Sequence, residues 1–149
     1  MKIHGLKVNT HVYNGLIRTY ASAAAVRFVK EDHVDMYIKD AWELFEQLKQ
    51  NPDAEVNIHI LNSLLLLHTN ALRVEELDAN VLPLYEKFKI KHDIFTYQNL
   101  SKLYLNMTDY EMVKTLYKNL KAENIEPNQL YLNSVLEASL RTDDSDLVY

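Results

Sequence analysis

The chain has 149 residues, of which 48% are hydrophobic, only 2 are glycine and 3 are proline, and its formal net charge is −5. Because sheet proteins place turn residues at each hairpin, so few glycines and prolines disfavour all-β and α/β folds. The acidic balance argues against binding phosphates over a broad surface, and the lack of cysteine excludes disulfides and cysteine-based zinc sites.

Four segments of the chain open alike, and each reads as the first helix of a repeat, called helix A here. They start at Thr10, Ile58, Ile94 and Gln129, which lie 48, 36 and 35 residues apart. Each segment places an aromatic residue or a leucine directly before an amide, with a large apolar residue following at helical spacing. The four pairs are Tyr13-Asn14, Leu61-Asn62, Tyr97-Gln98 and Leu132-Asn133.

A second helix, called helix B, is predicted after each of the first three. It is marked by the leucine–aromatic pairs Leu44-Phe45, Leu84-Tyr85 and Leu116-Tyr117. Another apolar residue follows each pair three or four positions later, which gives one apolar face. Because a single hairpin cannot bury that face, neighbouring hairpins must stack on it. The pattern therefore predicts an all-α solenoid of helix-turn-helix repeats.

The interval starting at Ile94 is the most regular. It predicts a helix A to Leu105 and a helix B over Tyr110–Ala122, with Thr108 or Asp109 as the cap of the second helix. Pro127 is expected to end this repeat, because proline cannot continue a helix.

Two irregularities stand out in the earlier repeats. The 48-residue interval carries an insertion at about 21–40 without a helix breaker, which predicts longer helices with a turn near Glu31-Asp32. Pro83 is expected near the start of its helix B, because the first helical turn tolerates proline.

The chain divides into a series of repeats, and both ends fall inside one. The divisions are 1–9 as the tail of a preceding repeat, 10–57 as the first repeat with its insertion, 58–93 as the second, 94–128 as the third, and 129–149 as an incomplete fourth. Since a solenoid needs capping repeats with a polar outer face, we expect a fragment of a longer array or an incomplete gene model.

The repeat length, the opening Tyr-Asn pair and the closing Pro-Asn together resemble the pentatricopeptide repeat family. The tetratricopeptide repeat is nearly as long, but its tryptophan, glycine and tyrosine placement does not occur here. The resemblance implies a right-handed α-solenoid that binds single-stranded RNA in mitochondria or plastids, where it would serve RNA processing, stability or translation. Repeats of this kind read about one base each with two or three side chains. From the residues themselves we expect no cofactor and no enzymatic activity.

By the same resemblance, two residues of each repeat face the base edge: the amide after the opening aromatic, and the last residue of the repeat. The pairs are Asn14 with Asn57, Asn62 with Asp93, and Gln98 with Asn128, and Asn133 begins a fourth pair. Asn/Asn and Asn/Asp pairs favour pyrimidines, with uracil for the second pair, while the third pair departs from the common combinations.

The second residue of each repeat is expected to stack against or cover a base: His11, His59, Phe95 and Leu130. A plainer reading of the amides stays open, because an asparagine near a helix start is often a cap or turn residue.

A second function also remains open, in which the array is a non-catalytic scaffold within a mitochondrial ribosome or another ribonucleoprotein assembly. The acidic balance, the unequal repeat lengths and the insertion favour it. RNA binding predicts amide pairs along a positively charged groove, whereas a scaffold predicts an acidic or blocked one. A third hypothesis is a tetratricopeptide-like module that binds a peptide.

No motif for metal binding or catalysis is present in the sequence. The six histidines show no metal-ligand spacing, and there is no glycine-rich phosphate loop or nucleophile elbow. We therefore predict neither an enzyme, nor a metal site, nor a small-molecule substrate. No apolar run reaches the roughly 18 residues that a membrane span needs.

Overall fold

The computed structural model describes residues 9–26 and 30–142, and all regular secondary structure in those ranges is helical. This confirms the all-α prediction, while residues 1–8 of the predicted tail and residues 143–149 of the predicted fourth repeat lie outside the described residues. The helices are α1 Thr10–Ala24, α2 Glu31–Gln50, α3 Ile58–Asn70, α4 Val74–Glu76, α5 Leu82–Lys87, α6 Ile94–Asn106, α7 Tyr110–Ala122 and α8 Gln129–Thr142, with a π-helical turn, Leu77–Val81, between α4 and α5. The chain forms two compact units, Met1–Lys91 and His92–Tyr149.

Four helix ends, two in each unit, follow one local rule. Four non-glycine residues take the left-handed conformation one residue beyond a helix cap: Leu72, Lys89, Thr108 and Asn124, with φ of 56°, 55°, 57° and 57°. In each case the next backbone N–H reaches back to the carbonyl five residues earlier, as from Asp109 to Tyr104 at 2.8 Å. This bond satisfies a carbonyl that the helix end leaves open, so the chain reverses within a few residues.

In the first unit, α1 packs against α2 and α3. Ile17, Leu61 and Leu64 are fully buried in the core. Trp42 of α2 lies edge-on to His68 of α3, with ring centroids 5.8 Å apart. His68 is fully buried, and burial lowers its pKa from the ordinary value of 6.5. This histidine therefore acts in packing.

The insertion lengthens the first hairpin. α1 has 15 residues and α2 has 20, compared with 13 for α3. The break between α1 and α2 precedes Glu31, so the expected turn near Glu31-Asp32 is placed slightly too late. Both acidic residues lie in the first turn of α2, where the positive end of the helix dipole favours carboxylates.

An ionic contact joins the lengthened hairpin to the next one. The guanidinium of Arg73, just after α3, reaches Glu31 at 2.8 Å and Asp35 at 2.6 Å. Because Arg73 is about three-quarters covered while both carboxylates are exposed, water screens the pair only in part. The contact fixes the start of α2 against the turn that follows α3.

The second helical stretch of the next hairpin differs from expectation. It begins at Val74, earlier than the sequence predicts, whereas α5 within it begins at Leu82, and Pro83 lies in the first turn of α5 as predicted. Its three parts contain three, five and six residues, one more in all than the 13 of α7. A π-helical turn is a common way for a helix to absorb one extra residue. Pro83 follows that turn as the second residue of α5, where the hydrogen-bond register changes and its missing N–H matters less.

In the second unit, α6, α7 and α8 pack against one another. Leu103, Leu120 and Tyr131 are fully buried at their contacts, and burial raises the pKa of Tyr131 to about 12. Leu132 was expected to match the buried Tyr97, yet 37% of its surface is exposed, because none of the described helices covers that face of α8.

Candidate functional site

The last residue of each predicted repeat caps the helix that follows. Its side-chain oxygen accepts a backbone N–H three residues on, which satisfies one of the open donors at the helix start. The bonds run from Val12 to Asn9 at 3.1 Å, from Ile60 to Asn57 at 3.0 Å, from Thr96 to Asp93 at 3.0 Å and from Tyr131 to Asn128 at 2.8 Å. The last residue of each repeat is therefore a helix cap, as the plainer reading predicts. If such a side chain also contacts a base, it does so while its oxygen caps the helix.

Capping constrains what such a side chain can offer to a ligand. When Asn57 caps through its oxygen, its NH2 group remains as a hydrogen-bond donor. Asp93 caps through one carboxylate oxygen and also contacts the hydroxyl of Thr96, and an ionised carboxylate can only accept. Asparagine and aspartate at this position thus present opposite hydrogen-bonding character.

The amides after the opening aromatic residue share a second feature: each uses its carbonyl oxygen within the protein. Asn14 accepts from the Ser63 hydroxyl, Asn62 from the Tyr85 hydroxyl at 2.7 Å, Gln98 from the amide of Asn128 at 3.0 Å, and Asn133 from the amide of Gln129 at 2.9 Å. These bonds hold the side chains in fixed orientations. At Asn14, Gln98 and Asn133, a ligand would accordingly meet the NH2 side.

Two of the predicted pairs come together within a single unit. Gln98 and Asn128 are hydrogen bonded to each other in the second unit. Asn14 and Asn57 both line one cleft in the first unit. Asn62 lies on α3 beside Tyr85, Asp93 caps α6, and Asn133 is exposed on α8.

The cleft has a volume of about 460 Å³ and lies where the loop after α2 meets the starts of α1 and α3. Beside Asn14 and Asn57, it is lined by His11 and His59, two of the predicted stacking residues. Both imidazoles are exposed. The cleft therefore combines two amides with two aromatic rings.

The loop that closes the cleft is held by specific hydrogen bonds. The amide of Asn51 donates to the Tyr13 hydroxyl at 3.2 Å, and its side-chain oxygen accepts the N–H of Asp53 at 2.9 Å. Thr10 accepts the N–H of Glu55 at 2.8 Å and donates to its carbonyl at 3.1 Å. These contacts fix the loop backbone between Asn51 and Glu55.

The charge in the cleft is negative. Asp53 and Glu55 contribute to its lining, and no lysine or arginine does so among the described residues. This differs from the positive groove that RNA binding predicts, and it makes the cleft a poor site for a phosphate. Its chemistry suits an uncharged, flat, hydrogen-bonding group such as a nucleobase.

The remaining two stacking candidates belong to the second unit. Phe95 is 59% exposed and Leu130 is 64% exposed. A large apolar side chain kept in water at the second position of both α6 and α8 costs solubility. This exposure supports contact with a ligand at that position.

Sequence reasoning missed the partners of the amides. Ser63 and Tyr85 anchor Asn14 and Asn62, but each lies on another helix and no local pattern signals such a pairing. The acidic lining by Asp53 and Glu55 could have been predicted, since both residues follow Pro52 in the loop that leads to Asn57.

The described ranges also bear on metal binding and on membrane insertion. No three histidine or acidic side chains there converge to hold a metal ion, and no helix there is both long and apolar enough to cross a membrane.

The family model of the pentatricopeptide repeat domain matches residues 84–139, which include all of α6 and α7 and most of α8. No curated protein matches the chain.

Proposed function

We propose that this chain is a member of the pentatricopeptide repeat family, whose model matches residues 84–139, and that it binds single-stranded RNA by admitting individual bases between its helices. The family supplies the ligand class, and the cleft of the first unit supplies the observation that carries the proposal. That cleft holds Asn14, Asn57, His11 and His59 together.

The chemistry of the cleft favours a base with acceptors on its edge. Asn14 and Asn57 both use their carbonyl oxygens within the protein, so each offers an NH2 donor. The pyrimidines present carbonyl oxygens, and cytosine adds a ring nitrogen acceptor. Exposed imidazoles offer flat faces for stacking, which is worth about 1–3 kcal/mol per base.

The family setting extends the proposal. Its members are common in mitochondria and plastids, so we place the RNA in one of these organelles. The role is in processing, stability or translation of that RNA, and the chain acts by binding, without catalysing a reaction.

Equilibrium binding of the whole chain to a pool of labelled single-stranded RNAs tests the proposal. His11→Ala with His59→Ala should weaken binding by about tenfold or more, since about 1.4 kcal/mol corresponds to tenfold. His33→Ala is the matched control, because His33 is exposed on α2 and is not among the residues lining the cleft. Equal affinity for double-stranded RNA, or no loss in the double variant, would overturn the proposal.

A specific observation favours a second candidate, the scaffold of a ribonucleoprotein assembly. Asp53 and Glu55 line the cleft, and the amide carbonyls are already used internally. A scaffold predicts that the histidine variants leave RNA binding unchanged, so the same experiment separates the two functions.

A further inference from the structure

The candidate cleft leaves the charge of a bound RNA unmatched. A single strand carries one phosphate per nucleotide, and proteins neutralise these with lysine and arginine. Asp53 and Glu55 line the cleft, and none of its described lining residues is a lysine or arginine. Phosphate contacts must therefore come from another part of the surface.

Several cations in the described residues already have carboxylate partners. Lys49 contacts Glu46 at 2.7 Å, Lys114 contacts Glu111 at 3.0 Å, Arg141 contacts Glu137 at 3.3 Å, and Arg73 contacts Glu31 and Asp35. Neutralised in this way, they are weak candidates for phosphate binding.

One short stretch, called the lysine segment here, differs from these. It comprises Lys87, the last residue of α5, and Lys89 and Lys91 in the loop that follows, all three exposed and with no acidic residue between them. The alternate residues Phe88 and Ile90 are half-buried, and the Phe88 ring lies edge-on to Phe45 with centroids 6.1 Å apart. Alternation thus turns the apolar side chains inward and the lysines outward.

The backbone of the segment is fixed. The N–H of Ile90 donates to the Tyr85 carbonyl at 2.8 Å, which holds Lys89 at a φ of 55°. Glycine is the usual residue at such a helix end, since it has no side chain to strain. A lysine stands there instead.

The corresponding loops after the other helices B have the opposite charge. The loop after α2 contains Asp53 and Glu55, and the one after α7 contains Glu123 and Glu126. Favourable interaction with the negative end of a helix accounts for Lys87, which lies in the last turn of α5. It does not account for Lys91, which lies four residues beyond.

We infer that the lysine segment is a binding site for the phosphodiester backbone of the RNA, and that it supplies the charge contact that the base-binding cleft lacks. This inference rests on the proposed function. Because long, flexible ammonium side chains contact phosphates without reading bases, the segment contributes affinity with no preference for sequence.

The test is the salt dependence of binding of the full chain to labelled oligouridylate. Each phosphate contact on a single strand contributes about 0.7 to the steepness with which log K falls against log salt concentration. Changing Lys87, Lys89 and Lys91 to glutamine should therefore reduce that slope by about 2. The matched control changes Lys102, Lys118 and Lys121, three exposed lysines of the second unit, to glutamine. A separate Lys89→Gly variant removes one charge and also relieves the backbone strain at the positive φ of residue 89. The slope should fall less than in the triple variant, and this decrease cannot come from misfolding.

The outcomes are distinct. No binding by the unchanged chain at low salt would refute the proposed function itself. Normal binding with the same slope in the Lys87/Lys89/Lys91 variant, or an equal loss in the control, would refute the lysine segment alone. Equal binding of polyglutamate, lost in the same variant, would assign the segment to an acidic protein partner and overturn the inference.

Discussion

The side-chain amide of Asn128 donates to the carbonyl oxygen of Gln98 across 3.0 Å, while the oxygen of Asn128 caps α8. One residue thus orders the start of a helix and orients the amide of another. Asn128→Ala should lower the free energy of unfolding by about 1–2 kcal/mol, since it removes the cap and leaves Gln98 without its donor. Asn128→Asp should cost about 0.5 kcal/mol or less, because aspartate also caps and the Gln98 amide can rotate to donate.

Urea denaturation measures both changes. Asn119→Ala, on the exposed surface of α7, is the control and should stay within about 0.5 kcal/mol of the unchanged chain. Equal losses for the alanine and aspartate variants would contradict the capping role.

The π-helical turn predicts that one residue can be removed from the chain at low cost. Deleting Asn80 places Leu77, Val81 and Tyr85 at the spacing that Val113, Leu116 and Leu120 have in α7. Combined with Pro83→Ala, which restores a helical N–H, the deletion should leave stability within about 1 kcal/mol of the Pro83→Ala variant alone. Thermal unfolding measures the difference.

Deletion of Asn119 is the matched control for that experiment. It turns the fully buried Leu120 away from the core and should cost about 2–5 kcal/mol, the range for losing a large buried side chain. If both deletions cost the same, the turn does not absorb an extra residue.

The contact of Arg73 with Glu31 and Asp35 predicts a salt-dependent stabilisation of the insertion. Arg73→Gln should lower the free energy of unfolding by about 0.5–1 kcal/mol at low salt, because the carboxylates are exposed and screened. The loss should shrink with added sodium chloride, and hydrogen exchange near Asp35 should accelerate. A loss that does not depend on salt would indicate packing instead of charge.

Burial of His68 predicts a dependence of stability on pH. Its pKa lies below 6.5 in the folded chain, since burial disfavours the imidazolium. As pH falls through 6.5 the unfolded chain takes up the proton first, so stability decreases until the folded pKa is passed. Above 6.5 both states are neutral and the effect vanishes.

His68→Phe isolates that contribution. Among the described residues, Nε2 of His68 has no hydrogen-bond partner and Nδ1 bonds only the Leu64 carbonyl at 2.8 Å, so phenylalanine keeps the ring and loses one bond. Denaturation curves at about pH 7 and about pH 5 should show a smaller drop for the variant. An identical drop would place the titrating group elsewhere.

The helices of the second unit could be predicted closely from the sequence. Their apolar spacing is regular, Asp109 caps α7 as expected, and Pro127 follows the last helix B. Local signals sufficed there because each helix end is set by residues within four positions of it. The π-helical turn could not be predicted from the sequence pattern. One extra residue changes the hydrogen-bond register of the helix but leaves the leucine–aromatic pattern intact.

The site was less predictable. Repetition identified the amide positions, but the bonds that orient Asn14 and Asn62 come from Ser63 and Tyr85 on other helices. Such contacts depend on how helices pack, which a periodic pattern does not specify. The negative lining of the cleft likewise arises from a loop whose path the sequence leaves open.

Selection from a randomised pool of single-stranded RNA is the measurement that tests the central claim most directly. The unchanged chain should enrich one base at a fixed register, and Asn57→Asp should change that base, since it keeps the cap of α3 but turns a donor into an acceptor. Asp109→Asn makes the same kind of exchange at the cap of α7, outside the predicted base-contacting positions, and should leave the enriched sequence unchanged. The same enriched sequence from all three proteins, or enrichment of none, would contradict base reading by this chain.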